Sequence, residues 1–124
     1  MLPARFLQVL KHEGVVAIVT QEAGGFPHLV NTWNTYVQVT PDGQLVIPVG
    51  GMHTTEKNLS LRNDVLLTAG SREVEGMQGP GTGFLISGTA EFSYAGAEFD
   101  LIKGRFGWAR AALKVTVKEI TQTL

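Results

Sequence analysis

Six runs rich in apolar and β-branched residues divide this chain, and turn-like sequence separates most of them. The runs span residues 15–20, 27–40, 44–49, 65–71, 84–94 and 111–120. In the last run apolar residues alternate with lysine and threonine, as in a sheet that faces water on one side. Strands joined by hairpins pair in antiparallel fashion. The pattern therefore predicts a mainly β fold with short helices, a six-stranded antiparallel Greek-key barrel, and not a doubly wound parallel sheet.

Short helices and loops connect the predicted strands. Helical spacing predicts helices over residues 3–12, 56–62 and 95–106. Gly14 is the expected residue just beyond the first helix. The segment 72–83 contains four glycines and a proline, so we expect a mobile loop there. Gly88 lies inside a strand and is expected to mark a bulge.

The composition limits the classes of function. With 124 residues, the chain is expected to form one domain, residues 1–124. A net charge of −1 gives no electrostatic case for nucleic acid, and the absence of cysteine excludes disulfides and cysteine-ligated iron–sulfur clusters. No apolar run is long enough for a membrane span, and the N-terminus does not resemble a signal peptide. We therefore expect a cytoplasmic protein.

The fraction of charged residues is unusually low. It is 17%, whereas soluble domains usually have about 25%. A surface with few charges to solvate indicates that part of it is covered by a partner, most simply a second copy of the chain.

The stretch Pro48–Asn58 has the composition of an anion-binding turn. It joins an apolar strand to a helix and contains Gly50, Gly51, Thr54 and Thr55. Glycine lets a ligand approach the backbone, and the first turn of a helix offers free N–H groups and the positive end of its dipole. The spacing matches no standard phosphate-binding motif. Taken alone, the spacing favours a plain strand-to-helix turn with threonine caps over an anion site.

The segment Asn31–Tyr36 is unusual for a core strand because it holds two asparagines. If it is extended, Asn31, Trp33 and Thr35 share one face. A solvent-facing or bulged strand would explain the asparagines; so would a row of hydrogen-bonding groups beside an aromatic surface. Together with Trp108, these residues suit a flat ligand that carries a phosphate.

Catalytic and metal-binding patterns are not evident. The three histidines show no metal-ligand spacing, no serine-hydrolase motif occurs, and no pair of carboxylates is placed for acid–base chemistry. We assign no catalytic residue and no metal ligand.

Several long strings resemble the small FMN-binding proteins of sulfate-reducing bacteria, over nearly the whole chain. The strings span residues 13–18, 27–34, 48–53, 79–86, 108–113 and 122–124. That family belongs to the split-barrel flavoproteins, which also include pyridoxamine-phosphate oxidases and flavin reductases.

The resemblance implies one non-covalent FMN per subunit and a homodimer with the flavin near the interface. It implies that Asn31, Thr32 and Thr55 bind the phosphate and its surroundings and that Trp33 lies beside the flavin ring. Leu124 would cover the flavin of the partner subunit. The other implied contacts come from Tyr36, Pro48, Val49, Gly50, Gly51, Met52, Thr54 and Trp108.

One position departs from the family string. The family reads Met-His-Lys-Thr-Glu, and this chain has Thr54 in place of the lysine. A charge-assisted contact contributes about 1.5–3 kcal/mol, so its loss would weaken FMN binding about tenfold or more. Lys57 or Arg72 could compensate.

Three functions are consistent with the resemblance. The first is an electron-transfer flavoprotein of anaerobic redox metabolism that works with a redox partner protein. The second is an enzyme, either a flavin reductase or an oxidase of the pyridoxamine-phosphate type, with residues 72–83 as a lid. The third is a split-barrel binding module that has lost FMN. We expect the first.

Overall fold

The structure, a computed structural model, describes residues 2–124. The helices are α1 (Ala4–Val9), α2 (His53–Leu61) and α3 (Ala97–Arg105), and a 3₁₀ turn spans Asn34–Tyr36. The strands are β1 (Val15–Gln21), β2 (Pro27–Trp33), β3 (Gln38–Val39), β4 (Leu45–Val49), β5 (Asp64–Gly76), β6 (Gly79–Ser93) and β7 (Ala111–Gln122). Among these residues, no helix combines the length and apolar character that crossing a membrane requires.

All the strands belong to one antiparallel sheet, with the order β2-β1-β5-β6-β7-β4-β3. Its two edge strands, β2 and β3, are consecutive in the chain and joined only by residues 34–37. A link this short spans at most about 18 Å, so the sheet must curl until its edges come close together. This gives the incomplete closure of a split barrel.

The core fills the inside of the curled sheet. Inward positions alternate along the strands, with Ile18, Leu67, Ile86 and Leu113 almost completely buried. Helix α1 covers one end and places Phe6 edge-on against Phe84, with ring centroids 5.6 Å apart. Burying each such side chain contributes about 1.5–3 kcal/mol. A smaller cluster beneath α3 consists of Val46, Ile102, Ala109 and Ala112.

The predicted bulge at Gly88 is confirmed. The β6–β7 register shifts between Ser87 and Gly88, and a Cβ on Gly88 would lie 2.0 Å from the carbonyl oxygen of Thr116. Only glycine permits this approach of the two backbones.

Three local predictions are wrong. Residues 72–83 are not a loop but belong to the long β5–β6 hairpin, which has an irregularity between Ser71 and Glu75. The strand predicted over 27–40 ends at Trp33, because Asn34 begins the 3₁₀ turn. Gly14 lies five residues beyond the end of α1 and plays no part in ending the helix.

Candidate functional site

A surface cavity of about 350 Å³ gathers nine of the predicted ligand-binding residues from β2, the 3₁₀ turn, β4 and two loops. We call it the turn cavity. It is lined by Val30, Asn31, Thr32, Trp33, Tyr36, Pro48, Gly50, Gly51, Met52 and Trp108. Its volume lies at the lower end of the range for small-ligand sites, about 300–1,000 Å³. Residues that are more than 70 positions apart thus meet because the two sheet edges meet.

Aromatic rings form one wall of the turn cavity. The ring centroids of Tyr36 and Trp108 are 5.7 Å apart, and Phe106 packs against both at 5.2 and 5.8 Å. Trp33 and Trp108 are about half exposed. A Cβ on Gly50 would lie 3.4 Å from the Trp108 ring, so the glycine lets this ring pack closely over the turn. The wall offers apolar stacking area with polar edges.

The first turn of α2 adjoins the cavity and is not capped. Met52 precedes the helix in the left-handed conformation, at φ 58° and ψ 38°, and its side chain makes no capping hydrogen bond. The first helical bond runs from the Glu56 N–H to the Met52 carbonyl. Within residues 2–124, the N–H groups of residues 53–55 therefore have no acceptor and can bind an external one, and the helix dipole favours an anion there.

Thr55 adds an unpaired hydroxyl at the same helix start. The side chain is 1% exposed, and its Oγ1 has no hydrogen-bond partner among the described residues. An unpaired buried hydroxyl costs about 1–3 kcal/mol. No group among the described residues uses its hydrogen-bonding capacity.

Arg110 does not line the turn cavity but hydrogen-bonds to the turn at Gly50 and Gly51, which we call the glycine turn. Its Nη2 donates to the Gly51 carbonyl at 2.6 Å and to Glu56 Oε1 at 3.0 Å, and its Nε donates to the carbonyls of Gly50 and Gly51, both at 3.1 Å. The guanidinium also lies over the Phe92 ring, 5.7 Å from the centroid. One side chain thus joins the turn, α2 and the end of β6.

The Glu56 carboxylate also accepts a hydrogen bond from the Tyr94 hydroxyl. The Arg110 guanidinium, and then the Tyr94 hydroxyl, hold the pKa of Glu56 below its ordinary value. The same bond to Glu56 raises the pKa of the Tyr94 phenol. Glu56 is therefore ionised at neutral pH and keeps the arginine in place.

Four predicted ligand residues do not line the turn cavity. Val49 is buried at the end of β4, where its carbonyl accepts the Arg110 N–H. Thr54 is exposed on α2, and Thr55 is buried beside it. Leu124 lies at a second, larger cavity of about 690 Å³, which we call the hairpin cavity. The two cavities share no lining residue.

Asn34 supports the hairpin cavity. It is fully buried, and its Nδ2 donates to the carbonyls of His12 and Gly70 at 3.1 and 2.9 Å. Its Oδ1 has no partner among the described residues. Asn34 therefore joins β5 to the segment that follows α1, and of the two asparagines only Asn31 lines the turn cavity.

Sequence reasoning missed the connected side chains of Arg110, Glu56 and Tyr94. Arg110 and Glu56 are 54 positions apart, and no local spacing links them. The one available signal was that Arg110 lies within a string shared with the family, residues 108–113.

Comparison with solved structures defines the class of fold. HupZ of Group A Streptococcus has a TM-score of 0.80 at 19% identity, covering 98% of this chain and 94% of that one. A candidate pyridoxamine 5'-phosphate oxidase of Lactobacillus delbrueckii has a TM-score of 0.71 at 16% identity, covering 97% and 93%. An FMN-binding protein of Syntrophomonas wolfei has a TM-score of 0.68 at 13% identity, covering 88% and 76%. The chain is a split-barrel protein, as predicted, with β3 as a short additional strand.

Sequence comparison defines the family. No protein-family model matches the chain. An FMN-binding protein of Nitratidesulfovibrio vulgaris is 58% identical over 124 residues, which is the full length of both chains. The chain belongs to this family of small FMN-binding proteins, and the predicted family is confirmed.

Proposed function

We propose that this protein binds one FMN non-covalently at the turn cavity and serves as an electron carrier. The observation that carries the proposal is that an aromatic wall and a glycine turn line one small cavity and that an uncapped helix start adjoins it. These are the groups that a flat ring with a phosphate tail requires. The 58% identical relative, itself named an FMN-binding protein, supports the same ligand.

The donor set fits a phosphate even without the family lysine. Three backbone N–H groups at the start of α2 and the Thr55 hydroxyl are available for hydrogen bonding. Lys57 supplies positive charge on the same helix, whereas Arg72 lines the hairpin cavity of its own chain. Bound FMN would supply one- and two-electron redox chemistry, and the protein would position it and tune its potential.

The hairpin structure of residues 72–83 favours the carrier over an enzyme. A reductase or oxidase needs a second ligand held over the flavin, and this segment was the candidate lid. It is paired in β5 and β6, so it does not supply a free lid. An FMN-dependent oxidoreductase of the reductase or oxidase type is the alternative function.

The outer face of β2-β1-β5-β6 supports a homodimer. Five large apolar side chains there are 39–61% exposed, namely Val15, Leu29, Trp33, Leu66 and Leu85. The register places them side by side, with Val15 opposite Trp33 and Val19 opposite both Leu29 and Leu66. A continuous apolar face of this kind is typical of an interface. Asn31 and Trp33 belong both to this strand face and to the turn cavity, which would place the flavin near the partner.

The visible spectrum of the freshly purified protein, with chromatography of the released cofactor, tests the proposal. We expect an oxidised-flavin spectrum and about one FMN per chain. Colourless protein that takes up no added FMN would refute FMN binding and leave a module without flavin. Rapid NADH-dependent turnover would favour the enzyme.

The interface is tested separately by Leu66→Lys, with Leu101→Lys on the exposed face of α3 as the matched control. Sedimentation should show a dimer for the wild type and the control, and a monomer with weakened FMN binding for Leu66→Lys. A monomeric wild type would refute the dimer.

A further inference from the structure

We propose that Arg110 is a positioning residue for the flavin: it turns two backbone N–H groups of the glycine turn toward the turn cavity, with Glu56 as its anchor. The inference rests on the proposed FMN function. It concerns a side chain that does not line the cavity itself.

The geometry of the peptide bond links Arg110 to the cavity. A trans peptide is planar, with its C=O and N–H on opposite sides. The carbonyls of Gly50 and Gly51 both point at the guanidinium. The N–H groups of the same two peptides, on Gly51 and Met52, therefore point away from it, and both residues line the cavity.

These two N–H groups have no acceptor within residues 2–124. Glycine at positions 50 and 51 leaves the turn free to adopt other orientations, so its peptide planes need an external restraint. Three arginine hydrogen bonds to two carbonyls provide that restraint, and an arginine fork provides it better than a lysine.

The anchor for Arg110 is built into the start of α2. Glu56 accepts from Nη2 at 3.0 Å and from Nη1 at 3.3 Å, while Tyr94 donates to the same carboxylate. Both members of the ion pair are 29% exposed, so the pair is partly shielded from solvent. Through Glu56, Arg110 fixes the glycine turn and the anion-binding helix start relative to each other.

Two fixed N–H donors would favour the ligand form that carries more negative charge on its ring edge. Since reduction adds negative charge to a flavin, loss of the restraint should weaken the reduced form more than the oxidised form. The midpoint potential should then become more negative. A purely structural arginine would lower stability without this asymmetry.

The test compares Arg110→Gln and Arg110→Lys with Arg62→Gln. Arg62 is a matched control because it also pairs with a carboxylate, Asp64 at 3.4 Å, at a site outside the turn cavity. We expect Arg110→Gln to bind oxidised FMN about tenfold more weakly and to show a more negative potential. Arg110→Lys should show a smaller change in the same direction, and Arg62→Gln should match the wild type.

Folded Arg110→Gln with wild-type affinity and potential would overturn the inference while leaving FMN binding intact. If Arg110→Gln does not fold, Arg110→Lys decides: unchanged affinity and potential overturn the inference, and changes in both support it. In FMN-free protein, the amide NMR signals of Gly51 and Met52 should shift in Arg110→Gln and not in Arg62→Gln. Wild-type protein that binds no FMN would instead refute the proposed function on which the inference rests.

Discussion

The larger of the two cavities in this chain is not the one that we propose as the FMN site. The hairpin cavity is about twice as large, at 690 Å³ against 350 Å³. At its lining, Thr82 Oγ1 donates to the carbonyl of Leu124 at 2.8 Å. Behind the lining, Asn34 Nδ2 donates to two carbonyls, although Asn34 Oδ1 has no partner among the described residues. Beside the turn cavity, by contrast, the start of α2 and the Thr55 hydroxyl have no such partners in the described part of the chain.

If FMN binds at the turn cavity, as we propose, unpaired hydrogen-bonding groups indicate the ligand site better than volume does. Where the donors of a cavity already have partners, a polar ligand adds little hydrogen-bonding free energy. Where the donors are unpaired, a ligand that accepts from them adds a full hydrogen bond each. The positions of the two cavities also limit which flavin Leu124 could contact. It lies at the hairpin cavity of its own chain, so contact with a flavin at the turn cavity would have to come from a second copy.

The largest expected effect is on stability, at the hairpin cavity. Asn34→Ala removes two hydrogen bonds and leaves the carbonyls of His12 and Gly70 unpaired. We expect the free energy of unfolding to fall by about 1–3 kcal/mol, measured by urea denaturation, with FMN affinity of the folded protein unchanged. Asn31→Ala is the matched control: it should leave the free energy of unfolding unchanged and weaken FMN binding. Weakened FMN binding in folded Asn34→Ala would contradict the claim that Asn34 serves stability and not the FMN site.

The second prediction concerns Thr55. Thr55→Val keeps the shape but removes the unpaired hydroxyl, so stability should stay equal or rise. If the hydroxyl contacts the phosphate, FMN affinity should fall about ten- to a hundredfold, since a hydrogen bond to a charged group contributes about 1.5–3 kcal/mol. Fluorescence titration measures the affinity. Thr54→Val, at the exposed neighbour, should change it less; equal losses would show that the two hydroxyls are not distinguished.

Leu124→Ala tests whether this residue, which lies at the hairpin cavity, covers the flavin at the turn cavity of a second copy. The side chain is 62% exposed within its own chain, so stability should change by no more than about 0.5 kcal/mol. If the partner's flavin lies beneath it, the midpoint potential should shift as water reaches the ring. An unchanged potential would refute the placement of Leu124 over the flavin.

The smallest expected effect is the pH dependence of the Glu56 anchor. The folded-state pKa of Glu56 is lowered from 4.5, so its contribution is present above about pH 4.5 and is lost as the pH falls below it. The pKa of Tyr94 is raised from 10.0, so its contribution is present below about pH 10 and is lost above it.

Each contribution is expected to be about 1 kcal/mol or less, because the pair is partly solvated. Glu56→Gln should flatten the dependence of stability on pH at both ends, as thermal unfolding from pH 3 to pH 11 would show. A pH profile identical to that of the wild type would exclude Glu56 as the titrating anchor.

Local patterns predicted the strands well where burial alternates. Apolar and polar residues alternate along 111–120, which lies in β7 as predicted. The run 15–20 also forms a strand, but its unbroken apolar sequence is typical of burial on both faces, whereas in β1 the burial alternates. The segment 72–83 could not be predicted in this way, because its glycines and proline favour a loop over a strand. Pairing along a long hairpin and the burial of Val74 overrode those local preferences.

The candidate site was predicted in composition but not in detail. The resemblance supplied nine residues that the structure brings into one cavity. It assigned Asn31 and not Asn34 to the ligand, but it gave no indication that Asn34 begins a 3₁₀ turn and bonds to β5. The Arg110–Glu56 pair depends on contacts across 54 positions, and only tertiary structure brings these residues together.

The β5–β6 hairpin also has a consequence for how the chain folds. Its strands are joined by Met77 and Gln78 alone, whereas β1 pairs with β5 some 50 residues away. Closing the short loop costs the least chain entropy, so we expect the hairpin to form first and to serve as the template on which β7 and then β1 assemble. Substitutions at Leu67 and Ile86 should then slow refolding, whereas one at Ile18 should mainly speed unfolding. Stopped-flow kinetics that reverse this order would place the folding nucleus elsewhere.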